Sequence, residues 1–290
     1  MIYLKKLILA SGEDEFDIMM NEKRTIFRTI YPFKIFPSIH FESVEFEPVT
    51  IFHGGNGSGK TTLLNIIAEK INAIRHSEFN KSEYFDEYVN FCRITGENIP
   101  ENSQMLSSDD VFDYVINMRY LNNNVDFHRE ELFRGYGYHR GKVLNREPGY
   151  YQLHGLDDYD RWKEVHDSVT KSASTFVKER LSKNVDMFSN GETAMRYFTD
   201  HIDRDSIYLL DEPENSLSVE YQLELAKYIS DSARFFNCQF IISTHSPILL
   251  SIDNAKIYDL NVIPVKTKKW TELKNVRFYY NFFKSHENEF

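Results

Sequence analysis

A glycine-rich stretch early in the chain has the residue types and spacing of a phosphate-binding loop. It consists of Gly54, Gly55, Asn56, Gly57, Ser58, Gly59, Lys60 and Thr61, followed by Thr62. Glycines let backbone amides converge on a group with dense negative charge, and a helix that begins here points its positive end at the same group. In this pattern the lysine reaches the β- and γ-phosphates and the next hydroxyl holds Mg²⁺. We therefore expect residues 54–62 to bind a nucleoside triphosphate, with Thr61 as a metal ligand.

A pair of acids later in the chain can supply the rest of such a site. Asp211 and Glu212 follow the apolar run at residues 207–210, which predicts a buried strand. Ligands of α/β proteins bind at the carboxyl ends of such strands. An acidic pair by itself is often a helix cap or a solvated turn, but together with the glycine-rich loop it predicts magnesium chemistry. We expect Asp211 to hold Mg²⁺ and Glu212 to act as the general base.

A histidine follows the next apolar run. Residues 239–243 predict another strand, and the sequence continues as Thr-His-Ser-Pro at residues 244–247. An isolated histidine is more often structural than catalytic. At a strand end beside a phosphate site, however, its imidazole can hydrogen-bond the terminal phosphate and hold the attacking water in register with a base. We therefore expect His245 to act with Glu212.

The elements that position these residues alternate between strands and helices. Residues 2–9 and 49–52 are predicted strands, and the apolar stripe from Leu63 to Ile74 predicts a helix directly after the loop. The last third continues the alternation, with strands predicted at 206–210, 239–243 and 255–260 and a helix at about 218–235. Short, almost wholly apolar strands separated by helices indicate a largely parallel sheet covered on both faces. The expected fold class is α/β.

The middle of the chain is expected to form a compact insert at about residues 75–187. It has no sustained heptad repeat, which argues against a long coiled coil. Asp109 and Asp110 can cap a first helix, and a second helical stretch is expected at about 158–184. A passage rich in glycine, tyrosine and basic residues, 134–142, separates the two predicted helices.

The overall composition argues against several classes of protein. The net charge of −10 argues against a surface coated with basic groups for nucleic acid, although it does not exclude a local basic patch. Cys92 and Cys238 lie far apart, without the spacing of a zinc site or a disulfide framework, which suits a reducing compartment. The N-terminal segment is predicted to be a strand rather than a signal peptide, and no apolar run reaches the ~18 residues of a membrane span. We expect a soluble, cytoplasmic protein.

The order of these motifs resembles that of the ABC ATPase superfamily, in particular stand-alone ATPases similar to the heads of chromosome-maintenance and DNA-repair proteins. The stretch similar to the family's signature loop comprises Ser189, Asn190, Gly191 and Glu192. The resemblance implies a P-loop head fold with N-terminal antiparallel strands and a helical insert, and ATP and Mg²⁺ as cofactors. It also implies a homodimer in which the signature loop of one subunit completes the ATP site of the other.

Several positions differ from the family pattern. Asn190 and Glu192 stand where the signature usually has glycine and glutamine, and Ser218 stands where the D-loop usually has aspartate. The family's Q-loop glutamine, a further metal ligand, is best matched by Gln104, although an exposed loop glutamine would look the same in the sequence.

Two functions of different classes fit these features. The first is an ATPase of DNA maintenance or phage defence, whose ATP-driven dimerisation acts on DNA or on an effector protein. The segment 128–146 interleaves basic residues with tyrosines, a mixture that can contact phosphates and stack bases, although an ordinary solvated loop can have the same composition. The second is a regulatory or transport-type ATP-binding subunit that couples to a protein or membrane partner. We expect one domain over residues 1–290, with a C-terminal tail at about 261–290.

Overall fold

The computed structural model describes residues 1–21, 29–79, 81–153, 156–181 and 190–290. Within these residues the strands are β1 (Leu4–Ile8), β2 (Ser43–Glu45), β3 (Val49–His53), β4 (Arg93–Gly96), β5 (Gln104–Ser107), β6 (Ile207–Asp211), β7 (Gln239–Ser243), β8 (Lys256–Asp259) and β9 (Lys266–Lys268). The α-helices are α1 (Gly12–Asn21), α2 (Ile35–Ser38), α3 (Lys60–Lys70), α4 (Phe85–Phe91), α5 (Ser108–Leu144), α6 (Tyr159–Thr170), α7 (Ala173–Arg180), α8 (Asn190–His201), α9 (Val219–Phe235), α10 (Pro247–Leu250) and α11 (Lys274–Ser285).

The larger sheet is mostly parallel and has the strand order β5-β6-β7-β3-β8-β9. β9 pairs antiparallel with β8, and the other pairs are parallel. Every residue of β3, β6 and β7 is buried, which explains why these strands are apolar runs rather than alternations. Because parallel strands end at the same edge, the segments that follow β3, β6 and β7 meet there. The expected α/β fold with a mostly parallel sheet is confirmed.

A smaller antiparallel sheet has the strand order β2-β1-β4. The buried side chain of Gln239, at the start of β7, joins it to the larger sheet. Its amide oxygen accepts hydrogen bonds from the backbone N–H groups of Tyr3 at 3.0 Å and Leu4 at 2.9 Å, and its nitrogen donates to the carbonyl of Leu4 at 2.8 Å. A buried amide needs such partners, so Gln239 fixes the position of β1. The expected N-terminal antiparallel strands are confirmed.

Helix α3 begins directly after the glycine-rich loop, as predicted. Gly59 precedes it with φ at 93°, and a Cβ there would lie 2.7 Å from Cγ2 of Ile35, so both the backbone and the packing require glycine. The apolar stripe of α3 is fully buried in the core, through Leu63, Leu64, Ile66 and Ile67. The helix ends at Lys70, earlier than the predicted stripe.

Helix α5 corrects the expected organisation of the middle segment. The passage 134–142 lies inside this helix and does not separate two helices. Its glycines, at 135, 137 and 141, have open space where a Cβ would be, so neither a turn nor a close contact requires them. The neighbouring Arg, Lys and Leu residues favour a helix. The cap of α5 is Ser107 rather than Asp109 or Asp110. The hydroxyl of Ser107 accepts a hydrogen bond from the N–H of Asp110 at 3.2 Å, and the carboxylate of Asp110 accepts one from the N–H of Ser107 at 2.7 Å.

The chain folds into two compact units, which are Met1–Asp113 with Ser189–Phe290, and Tyr114–Phe188. Within the second unit, Tyr136 packs on Phe176 with ring centroids 5.4 Å apart. Arg180 pairs with the buried carboxylate of Asp167 at 2.6 Å. The single-domain organisation and the insert limits of 75–187 stay predictions.

Candidate active site

Lys60 is the point at which the predicted motifs meet. Its buried ammonium group donates hydrogen bonds to the carbonyl of Gly54 at 2.9 Å and to Nε2 of His245 at 2.8 Å. The ammonium group donates a third hydrogen bond to the carbonyl of Gly55 at 3.3 Å. The carboxylate of Glu212 lies 3.4 Å away. The fold thus brings together the loop after β3, the acid after β6 and the histidine after β7.

The conformation of the predicted phosphate-binding loop depends on its own backbone and on one distant side chain. Gly57 and Gly59 have φ angles of 77° and 93°, which glycine adopts without strain. The N–H of Gly55 donates to the side-chain oxygen of Asn261 at 2.7 Å. A cavity of about 460 Å³ lies along the loop, lined by Tyr31, Ile35, Asn56, Gly57, Ser58, Gly59, Lys60, Thr61, Thr62 and Glu212.

Thr61 and Asp211 form the oxygen pair that the sequence predicts for the metal. The Thr61 hydroxyl donates to Oδ1 of Asp211 at 3.2 Å, and the Ser243 hydroxyl donates to the same oxygen. Burial raises the pKa of Asp211, and the hydrogen bonds from Ser243 and Thr61 only partly offset it. A cavity of about 620 Å³ borders both Thr61 and Asp211. A hydroxyl and a carboxylate beside a phosphate loop are hard oxygen donors, so this pair fits Mg²⁺.

Glu212 is arranged to remain ionised. Burial alone would raise its pKa, but the hydrogen bond from Asn215 and the electrostatic interactions with Lys60 and His245 together lower the pKa below its ordinary value. Nδ2 of Asn215 donates to Oε2 at 3.2 Å, and Nε2 of His245 lies 3.2 Å from Oε1. The N–H of Glu212 donates to the carbonyl of Ser243 at 3.0 Å, which fixes the residue at the end of β6. An ionised carboxylate in this position can accept a proton from water.

Gln104 is not part of this group. It pairs with Tyr208 at the start of β5, whereas the last residue of β5, Ser107, pairs with Asp211. Three residues along a strand correspond to about 10 Å. The side-chain nitrogen of Gln104 instead lies 3.5 Å from the carbonyl of His201, to which it donates. The predicted metal role of Gln104 is therefore contradicted by the strand register.

The predicted signature loop lies only partly within the described residues. Ser189 lies outside the described residues, and α8 begins at Asn190. A Cβ at Gly191, in the first turn, would lie 2.8 Å from Cδ2 of Tyr221, so this position requires glycine. Glu192 lies in the same first turn. A helix N-terminus attracts anions, and the role of Ser189, Asn190, Gly191 and Glu192 in a second subunit's site stays a prediction.

Sequence reasoning missed several residues that shape the site. Ser243 has a local signal, since it ends an apolar strand directly before the Thr-His-Ser-Pro segment. Glu214 follows the acidic pair and hydrogen-bonds the backbone N–H of His245. Asn261 and Asn275 reach the site from the C-terminal segment and have no local signal in the sequence.

Three basic residues of the predicted nucleic-acid segment have local partners. Arg134 pairs with Glu130 at 3.2 Å, and Lys142 pairs with Glu147 at 2.5 Å. Arg140 donates to the hydroxyl of Tyr136, whose ring is buried. Paired cations leave less charge for a phosphate backbone, so the structure adds no support to this segment as a nucleic-acid site. In the described parts of the chain, no helix has the length and apolar character needed to cross a membrane.

Two solved structures are similar to this chain over most of their length. One is an SMC head domain with an extended coiled coil, bound to the C-terminal domain of ScpA and derived from Pyrococcus furiosus. It is 13% identical, with a TM-score of 0.43, over 97% of this chain and 100% of that chain. The other is the SMC head domain from Thermotoga maritima, which is 13% identical, with a TM-score of 0.41, over 92% of this chain and 99% of that chain. These likenesses are too distant to support a functional conclusion.

The profile of the AAA ATPase domain family matches residues 157–250. The matched region contains Asp211, Glu212 and His245, and the predicted phosphate-binding loop at 54–62 precedes it. No curated protein matches the sequence. Residues 157–250 are therefore similar to an AAA ATPase domain, which agrees with the predicted resemblance to P-loop ATPases, while the ABC type stays a prediction.

Proposed function

We propose that this protein binds ATP with Mg²⁺, hydrolyses it, and forms a head-to-tail homodimer while ATP is bound. The convergence of Lys60, Glu212 and His245 at one edge of the parallel sheet carries the proposal. These residues come from three separate segments, and each has the chemistry that phosphoryl transfer to water requires. The cytoplasmic location expected from the sequence is part of the same proposal.

The proposed reaction uses the contacts that are already present. Lys60 exchanges its bonds to the carbonyls of Gly54 and Gly55 for the β- and γ-phosphates. Glu212 accepts a proton from water as the water oxygen bonds to the γ-phosphorus, and the bond to the β-phosphate oxygen breaks to release ADP and phosphate. His245 donates to the γ-phosphate and keeps the water in register with Glu212. Thr61 and Asp211 would hold Mg²⁺, which would supply charge neutralisation at the β- and γ-phosphates.

The proposed dimer rests on the resemblance of residues 189–192 to a signature loop. Each chain has one phosphate-binding loop and one signature, so a symmetric pair has two equivalent sites. We infer that Ser189 and the backbone N–H of Gly191 contact the γ-phosphate held by the other subunit, at the N-terminus of α8. ATP then joins the two heads, and hydrolysis separates them.

Glu212→Gln tests both parts of this proposal. The amide keeps the size of the side chain but cannot accept the proton, so ATP should bind and remain, and dimers should appear in light scattering with Mg-ATP. Glu224→Gln, an exposed change on α9, is the matched control. Adding Ser189→Arg to Glu212→Gln should give ATP-loaded monomers, because the bulky cation blocks closure. The dimer mechanism is wrong if Glu212→Gln stays monomeric with ATP or if the double variant dimerises equally well.

The process that uses this ATPase is a separate question. We propose DNA maintenance or phage defence, with DNA or an effector protein as partner, on the strength of the motif resemblance. The alternative is a regulatory or transport-type subunit coupled to a protein or membrane partner. Stimulation of ATP turnover by single- or double-stranded DNA would support the first candidate with DNA as its partner, because the alternative does not predict such stimulation.

A further inference from the structure

The main chain of His245 is held from both sides by side chains outside the predicted motif roles. Oε1 of Glu214 accepts hydrogen bonds from the N–H of His245 at 2.6 Å and from the N–H of Ser246 at 3.2 Å. Nδ2 of Asn275, on α11, donates to the carbonyl of His245 at 3.1 Å. Both backbone polar groups of one residue are therefore fixed by distant side chains.

Each of these two side chains also keeps one polar atom without a partner. Oε2 of Glu214 and Oδ1 of Asn275 are buried and make no hydrogen bond within the part of the chain that the structure describes. Buried polar atoms nearly always find a partner, and the exceptions need an explanation. Glu214 and Asn275 therefore hold the backbone of His245 in place although each keeps one buried oxygen without a hydrogen bond.

The local fold has a separate anchor that does not involve His245. The hydroxyl of Ser246 caps α10 by accepting from the N–H of Ile248 at 3.1 Å, and it donates to Oε1 of Gln222 at 2.7 Å. Ser246 thus connects the start of α10 to α9 through its own side chain. The bonds to the backbone of His245 are additional to this anchor, which points to a role in the site.

The imidazole of His245 lies close to two groups of the site, so a small shift of its position would change both contacts. Its Nε2 lies 2.8 Å from Nζ of Lys60 and 3.2 Å from Oε1 of Glu212. A displacement of about 1 Å in a reacting group can reduce a rate about 100-fold. Fixing both the N–H and the C=O of His245 limits rotation of its backbone and keeps Nε2 between these two groups.

We propose that Glu214 and Asn275 are positioning residues of the ATPase reaction, and that α11 acts in catalysis through Asn275. This inference rests on the proposed ATPase function. The hydrogen bonds of Glu214 to the N–H groups of His245 and Ser246, and of Asn275 to the carbonyl of His245, do not involve the predicted phosphate-binding loop. They act through His245, so they determine the rate of hydrolysis more than the affinity for ATP. The C-terminal helix thereby becomes part of the catalytic unit.

Steady-state ATP hydrolysis by single-residue variants tests the proposal. Asn275→Asp keeps the size but removes the donor, and kcat should fall about 10- to 100-fold while KM for ATP changes less than about twofold. Asn281→Asp, exposed on the same helix, has the same charge change and should match the wild type. Glu214→Gln keeps one acceptor oxygen and should retain more activity than Glu214→Ala. Glu224→Gln is the control for Glu214→Gln.

A second measurement needs no nucleotide. Hydrogen exchange at the amides of His245 and Ser246 should be faster in Glu214→Ala than in the wild type, with an unchanged rate across β6. If Asn275→Asp does not fold, kcat of Asn275→Ala is measured in its place, and the hydrogen-exchange comparison is made on the same variant. The proposal is overturned if kcat stays within about twofold of wild type in Asn275→Asp and Glu214→Ala, or if ATP affinity falls as much as kcat. By contrast, equal turnover in wild type and Glu212→Gln contradicts the proposed function itself.

Discussion

The ammonium group of Lys60 donates a 2.8 Å hydrogen bond to Nε2 of His245, a residue 185 positions away in the sequence. Nε2 therefore acts as an acceptor in this arrangement, whereas a contact with a phosphate oxygen requires Nε2 to donate. We infer that ATP binding both releases Lys60 from His245 and changes the proton position on the imidazole. We infer that this bond couples the proposed phosphate binding by Lys60 to the proposed catalytic role of His245.

Lys60→Ala should weaken the binding of Mg-ATP. The variant loses the positive charge that reaches the β- and γ-phosphates, and a hydrogen bond between charged groups contributes about 1.5–3 kcal/mol, so affinity should fall about 10- to 100-fold. Isothermal titration calorimetry measures this directly. Lys70→Ala, at the other end of α3, should leave the affinity unchanged. Equal affinities for Lys60→Ala and the wild type would remove the basis of the ATP site.

His245→Ala should separate binding from turnover. The imidazole contacts Lys60 and Glu212 but is not needed for the loop to hold phosphates, so ATP affinity should change only a few-fold. Loss of a positioned hydrogen-bonding and proton-handling group costs about 10²–10⁴-fold in rate. Single-turnover hydrolysis with saturating ATP gives the rate. His128→Ala, an exposed change on α5, is the control, and an unchanged rate in His245→Ala would exclude the catalytic role.

Asp211→Asn should stabilise the nucleotide-free protein at neutral pH while it removes magnesium-dependent hydrolysis. Burial raises the pKa of Asp211 in the fold, so the contribution of this carboxyl group to stability is present below the ordinary aspartate pKa and is lost as the pH rises through the folded value. Asparagine cannot ionise and avoids that loss. Calorimetric melting temperatures should be higher for Asp211→Asn than for wild type at pH 7 and should converge near pH 3, below the ordinary aspartate pKa of about 3.9.

Asp253→Asn, an exposed change, serves as the control for Asp211→Asn and should show no such pH-dependent difference. A lower melting temperature for Asp211→Asn at neutral pH would mean that its hydrogen bonds with Thr61 and Ser243 outweigh the cost of burying its charge. The wild type would then be more stable than Asp211→Asn at neutral pH, contrary to the prediction.

Gly59→Ala and Gly57→Ala should differ in their effect on stability. Both residues have positive φ, but a Cβ at Gly59 would meet Cγ2 of Ile35 at 2.7 Å, whereas a Cβ at Gly57 meets nothing within 4 Å. Backbone strain alone costs about 1–2 kcal/mol, and overpacking adds about 1–3 kcal/mol. Urea denaturation should therefore show the larger loss of unfolding free energy for Gly59→Ala. Equal losses would mean that Ile35 moves aside freely.

The parts of the site that could be predicted are those encoded by local pattern. The strand before Asp211 is apolar throughout because both of its faces are buried, and the rule that parallel strands end at one edge places Lys60, Asp211 and His245 together. Gln104 was misplaced because its position along β5 depends on pairing with Tyr208, which one strand's sequence does not reveal.

The remaining differences have a similar physical origin. Asn261 and Asn275 reach the site only through the tertiary fold, so no local pattern marks them. The passage 134–142 was expected to separate two helices because of its glycines, yet it is helical. Glycine weakens a helix by only about 1 kcal/mol relative to alanine, and contacts such as that of Tyr136 with Phe176 can offset this cost.

The position of β3 between β7 and β8 has a consequence for synthesis on the ribosome. Val49 pairs with Phe240, so the strand that leads into the phosphate-binding loop is translated long before its neighbours. At a translation rate of about 5–20 residues per second, the edges of β3 wait about 10–40 seconds for β7. Contacts between residues so distant in sequence form slowly. The nascent chain therefore exposes an apolar strand with two open edges during elongation, and we expect it to depend on chaperones until the last strands emerge.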